Sequence, residues 1–298
     1  MAKIVIAHGM RMQHYSKAAL QAKWSAALRA GLKSTDWGRA DPGRVPRAQD
    51  IEVVYWADLF QKPPRALEPV TKDVADKLLA PYYGLWRGAV RLADHLSFWD
   101  EHGAPRGPVA HAVNPIVYQS AIYMRNGRVT RPDPAFDPGA FFQVQARFRA
   151  ALKADTRVVI GHSLGSVVAY EGLLLHPHAV ESFITVGSPI ATRRLILQPL
   201  RERLHRLIGT PLEGPPPWPC VAHWSNFYAS ADVWSVPVKR LAPIFDRRIV
   251  DVEVKQGNPH RAVETHKLTT YFRQPALLAE IARGLDASAG NQLLRALA

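Results

Sequence analysis

The sequence predicts an α/β protein: a mostly parallel central sheet, helices on both faces, and a helical cap inserted between two strands. Three observations predict it. Ala2 to Ala7 is almost wholly apolar, as a central parallel strand covered on both faces requires. Arg157-Val158-Val159-Ile160 reads as a second buried strand, and the short stretch Gly161 to Gly165 joins it to a helix that begins at Ser166. Later strands, at Ser182–Val186 and Val221–Tyr228, alternate with helical stretches, the pattern of βα units.

The remaining elements follow in order. Ser16 to Leu32 has helical periodicity, Thr35 to Asp50 is a loop rich in Gly, Pro and Arg, and Ile51 to Trp56 is a β-branched strand. Val70 to Trp99 is a helical stretch carrying Tyr82, Tyr83, Trp86, Phe98 and Trp99; Asn114 to Arg125 and Pro138 to Leu152 are further helices. About a hundred residues thus separate the second strand from the third, more than an ordinary crossover needs. The surplus, residues 61–135, reads as the cap. Residues 190–220 read as a lid-like loop, stiffened by Pro211, Pro215, Pro216, Pro217 and Pro219. Arg248 to Lys255 is a strand and Pro275 to Leu297 a terminal helix. There is no internal repeat, and residues 1–298 read as one domain.

Composition agrees with one globular domain: 47% of residues are hydrophobic and 21% charged. No run of 18 apolar residues and no leader ahead of the first strand points to membrane insertion or export. Cys220 is the single cysteine, so no internal disulfide forms, and the cytoplasm is the expected compartment. The net charge of +13 is carried largely by arginines, five of them (Arg193, Arg194, Arg201, Arg203, Arg206) between Thr192 and Ile208 at helix-like spacing. Such a segment suits peripheral contact with an anionic membrane, an anionic substrate, or simply a solvated helix packed on the core. Nucleic acid would suit the charge, but the chain has no recognition motif, zinc-finger spacing or aromatic RNA-binding signature.

Gly161-His162-Ser163-Leu164-Gly165 fits Gly-x-Ser-x-Gly between a strand and a helix, the context of a nucleophile elbow. The serine must sit on a strained turn, and side chains at 161 and 165 would collide with their neighbours. In folds built round such an elbow the acid follows the serine and the histidine follows the acid. Asp232, in the loop after strand Val221–Tyr228, is the best acid; its bland alternative is a turn aspartate capping its own backbone. Strand Ser182–Val186 ends in Gly187-Ser188-Pro189 and offers no carboxylate. Asp246, Asp251 and Glu253 compete, but Asp251 and Glu253 alternate with Ile249, Val250, Val252 and Val254 like the solvated face of a strand. Of 12 histidines, only His260 and His266 lie late enough to be the base, and spacing from the strand end slightly favours His260. His162 reads as packing beside the site.

Taken together, Ile4-Val5-Ile6-Ala7-His8-Gly9-Met10, the elbow through Glu171, Thr185-Val186-Gly187-Ser188-Pro189, Trp224-Ser225-Asn226 with Asp232, and His266 ahead of Tyr271 resemble a bacterial lipase- or esterase-like branch of the α/β-hydrolase superfamily. The resemblance covers most of the chain and departs at Gly9-Met10-Arg11-Met12, where such proteins often carry Gly-Ile-Gly-Gln. It implies an α/β-hydrolase fold and His266 as the base, with His260 second. It also implies backbone N–H groups of Met10 and Leu164 as oxyanion donors. The implied activity is cleavage of a lipid or aliphatic ester through an acyl-enzyme on Ser163, with no metal or organic cofactor required. The other reading is an idle hydrolase fold acting as a basic binding protein for membrane or nucleic acid.

Overall fold

A computed structural model describes residues 3–10, 12–60, 123–124, 139–230, 232, 239–255 and 265–286. Six strands form one sheet: β1 (Ile4–Ala7), β2 (Ile51–Val54), β3 (Val158–His162), β4 (Val180–Val186), β5 (Val221–Tyr228) and β6 (Val250–Glu253). Their order is β2-β1-β3-β4-β5-β6, and every neighbouring pair is parallel. All strands therefore end on the same edge, so residues that follow β1, β3, β4, β5 and β6 collect along it.

Two layers of helix cover the sheet, and strand alternation decides which side chain meets which layer. Val5 and Ala7 join a core with α3 (Ala140–Ala151), α4 (Leu164–Leu175) and α5 (Gln198–Ile208). Ile4 and Ile6 join the opposite core, with α1 (Lys17–Ser34), α6 (Leu268–Tyr271) and α7 (Pro275–Asp286). Ser16 starts α1 by accepting the Ala19 N–H at 3.1 Å, and Leu20, Trp24, Leu28 and Leu32 form its buried stripe. The chain leaves β1 for one neighbour, β2, and later returns to the other, β3. The gap between the ends of β1 and β3 is thus the switch point at which open parallel sheets bind ligands.

Three expectations change. Thr35 to Asp50 is not plain loop: α2 (Asp36–Ala40) starts on Thr35 Oγ1, which accepts from Gly38 N, and two 3-10 turns follow. Short polar caps at Thr35 and Asp41 override the Gly and Pro content. Arg203 does not belong to a solvated basic face. It is fully buried on α5 and paired with Glu171 of α4, whereas Arg193 and Arg206 are exposed. Asp251 is not on a solvated strand face either: its side chain is 4% exposed and accepts from Asn226 Nδ2 and the backbone N–H groups of Leu241 and Ala242. Residues 61–122 and 125–138, with the expected cap and its helices apart from the helical pair Tyr123–Met124, lie outside the described residues, as do His260 and 287–297. Among the described residues no helix is long and apolar enough to cross a membrane.

Candidate active site

Ser163 stands between β3 and α4 with φ 53° and ψ −130°, the one positive φ of a non-glycine among the described residues. A side chain held there costs about 1–3 kcal/mol and persists only where its surroundings impose it. Those surroundings are visible. Ser163 N–H donates to Val186 O at 2.9 Å, and Ser163 O accepts from Ser166 N at 2.9 Å and Ser166 Oγ at 2.6 Å. Because Ser166 gives its one proton to Ser163 O, the 2.6 Å contact with Ser188 Oγ has Ser188 as donor. Both glycines of the elbow are sterically required. A Cβ at Gly161 would lie 2.5 Å from Ser166 Cα, and one at Gly165 would overlap the carbonyl oxygens of Ala7 and His8. Helix α4 can approach β1 only because position 165 has no side chain. As the first residue of α4, Leu164 has no preceding turn of helix to accept its N–H.

The loop after β1 lies against this turn: a Cβ on Gly9 would stand 2.7 Å from Ser163 Cβ and 3.2 Å from Ser163 Oγ. His8 fixes that loop. Its Nε2 accepts from Trp56 N at 3.0 Å, so Nδ1 carries the proton and donates to Gly9 O at 2.6 Å. The ring also stacks on Trp56, with centroids 4.3 Å apart. Met10 follows, half-buried against the core.

Asp232 and His266 meet past the ends of β5 and β6. His266 Nδ1 lies 2.8 Å from Asp232 Oδ2 and 3.0 Å from Oδ1. A carboxylate accepts, so Nδ1 is the donor and Nε2 of the neutral ring is the basic nitrogen. Asp232 is fully buried, and Tyr271 OH donates to its Oδ2 at 3.0 Å. Gly187, after β4 at φ 55°, leaves room for the pair; a Cβ there would lie 2.8 Å from Asp232 Oδ2. Asp232 N–H does close a turn onto Ala229 O at 2.9 Å, but its carboxylate is engaged elsewhere. The competing acids have other partners: Asp246 is held by Arg248 at 2.8 Å, which keeps its pKa down at about 2, and Glu253 accepts from Ser230.

The structure thus brings Asp232 and His266 into contact, and Gly9 to the elbow that carries Ser163 and Leu164, with Met10 next in that loop. Residue patterns missed Tyr271 as a partner of the acid, although an aromatic just beyond His266 was the available signal. They also missed Ser188 behind the elbow and the anchoring of the first loop by His8.

Burial holds two histidines neutral here. His8 has its pKa lowered to about 4, chiefly by burial and partly offset by its hydrogen bond to Gly9 O and by Asp58. His162 is lowered to about 3, chiefly by burial and then by the neighbouring His266. Both titrate near 6.5 in an unfolded chain. Below that pH the unfolded state takes up protons that the native state refuses, so stability is full above about pH 6.5 and falls on acidification toward pH 4. Two such groups give a limiting slope of roughly 3 kcal/mol per pH unit. Urea unfolding at pH 7.5, 6 and 5 should show that loss, and His8→Gln should flatten it. An unchanged slope in the variant would contradict the burial account.

Residues 137–274 match the family described as the alpha/beta hydrolase fold, a span that includes β3 to β6, the elbow, Asp232 and His266. No curated protein and no solved structure matches the chain. With β1 and β2 completing the parallel sheet beyond the matched span, the chain has the α/β-hydrolase fold.

Proposed function

We propose that this hydrolase is a serine esterase acting on a lipid or aliphatic carboxylic ester. The observation that carries the reading is the strained Ser163 on the same sheet edge as the hydrogen-bonded Asp232–His266 pair. In this mechanism His266 Nε2 takes the proton of Ser163 Oγ as the oxygen attacks the ester carbonyl. Asp232 keeps the proton on Nδ1 and stabilises the imidazolium. The tetrahedral oxyanion is met by the N–H groups of Leu164 and Met10, each such donor being worth about 3–4 kcal/mol in the transition state. Collapse expels the alcohol, which takes the proton from His266. Water then attacks the acyl-enzyme with His266 again as base; collapse breaks the bond to Ser163 Oγ, which takes the proton back from His266, and the acid leaves. Buried, satisfied Asp232 suits its part, since Tyr271 and His266 occupy its oxygens and hold its direction.

The test is a fluorophosphonate probe read by intact mass, beside a p-nitrophenyl ester chain-length panel and a phospholipid panel. The expected result is one adduct on Ser163 and turnover of at least one ester. A protein that neither labels nor hydrolyses any of these esters would sink the reading and leave an idle fold used for binding.

A further inference from the structure

We propose that His162 is a positioning residue for the base: through its Nε2–H it holds the backbone carbonyl of His266, and so sets how that ring meets Ser163. The inference rests on the serine-hydrolase reading above. His162 Nε2 lies 2.7 Å from His266 O, and a carbonyl can only accept, so the ring donates from Nε2. The ring is 2% exposed and stays neutral, which leaves Nδ1 unprotonated and without a hydrogen-bond partner among the described residues. His162 therefore makes one side-chain hydrogen bond there, and it goes to the residue that carries the proposed base.

Two further contacts fix its direction. The His162 ring lies 4.8 Å from the His266 ring, centroid to centroid, and Trp24 of α1 meets it edge-on at 6.1 Å. Its backbone is equally fixed, as the last residue of β3 in register with Val186 of β4. His266 ends a helical segment, and an extended Lys267 separates it from the four-residue helix α6. Its side chain is tied at Nδ1 by Asp232, and its peptide is tied at the carbonyl by His162. Fixing both ends of a residue fixes its side-chain torsions. The residue just before the proposed nucleophile thus measures out the place of the base, and one strand end sets both reacting groups.

The experiment compares wild type with His162→Phe, His162→Gln and His162→Asn. Phe keeps the ring volume and removes the donor. Gln loses the ring but carries an N–H to about the reach of Nε2; Asn carries one that falls short. For His162→Phe we expect kcat on a p-nitrophenyl ester to drop by about 10- to 100-fold, since small misplacement of a reacting group has that scale, with KM within about twofold. His162→Gln should recover most of the loss, and fluorophosphonate labelling rates should follow the same ranking. If the Phe variant fails to fold, as read by its thermal melt, Asn takes its place. A packing role predicts the reverse ranking. A Gln variant no faster than the Phe or Asn variant, or a Phe variant equal to wild type, would overturn the proposal while labelled wild type still upheld the hydrolase reading. A wild type unlabelled at Ser163 would overturn both.

Discussion

Ser163→Ala is expected to abolish fluorophosphonate labelling and lower ester turnover by about 10⁴-fold or more, with the thermal melt little changed. The melt should hold because the substitution removes only one oxygen, and alanine tolerates the strained turn no worse than serine. His266→Ala should fall about as far, because nucleophile and base act as a unit and the second loss adds little to the first. His260→Ala should cost much less. Initial rates with a short-chain p-nitrophenyl ester would check all three. If the two histidines rank in reverse, the contact between His266 and Asp232 serves the fold and not the chemistry.

The largest expected effect on stability lies elsewhere. Arg203 and Glu171 are both fully buried and meet through two bonds of 2.6 Å. Arg203 also donates to the carbonyls of Tyr123 and Met124 at 2.9 and 3.0 Å and stacks 4.3 Å over the Phe141 ring. Tyr123 OH donates to Glu171 Oε2 at 2.8 Å and accepts from Gln145 at 2.7 Å. Arg203→Leu would strand a buried carboxylate and two carbonyls, at a cost of about 3–5 kcal/mol. For a domain of this size that is roughly 10 °C in melting temperature. Replacing both charges, Arg203→Leu with Glu171→Leu, should recover part of the loss, because it is the unpaired charge that is costly. Calorimetry of the single and double variants decides it. A single variant that melts with wild type would mean that Glu171 finds another partner or takes up a proton.

The strained turn at Ser163 and the place of Asp232 after β5 were legible because their signals are local. Gly161 and Gly165 answer to atoms a few residues away or to the adjoining strand, and Asp232 simply follows the best late strand. Strands β1, β3, β4 and β5 were legible for the same reason: apolar runs bounded by turns. Arg203 was not. An amphipathic pattern cannot tell a solvated arginine from a buried one whose partner sits on another helix, 32 residues earlier. Asp251 misled in a similar way. Its alternation with valines is real, but the segment at Leu241 and Ala242 comes back to cover it, and only the fold shows that. The choice between His260 and His266 rested on the resemblance, against a slight preference of spacing for His260; the structure puts His266 in contact with Asp232, and His260 lies outside the described residues.

The strand order has a consequence for how the chain is made. Ile4 pairs with Ile51 on one side and with Val158 on the other. On the ribosome, β1 gains its first neighbour early, but its second emerges only about a hundred residues later, on the order of ten seconds of synthesis. Throughout that interval a fully apolar strand presents an open edge, the kind of template that recruits other chains. Long-range parallel pairing also folds slowly, because loop closure must precede any gain from contact. The same order that places the ends of β1 and β3 side by side therefore leaves one edge of β1 unpaired in the nascent chain until β3 emerges.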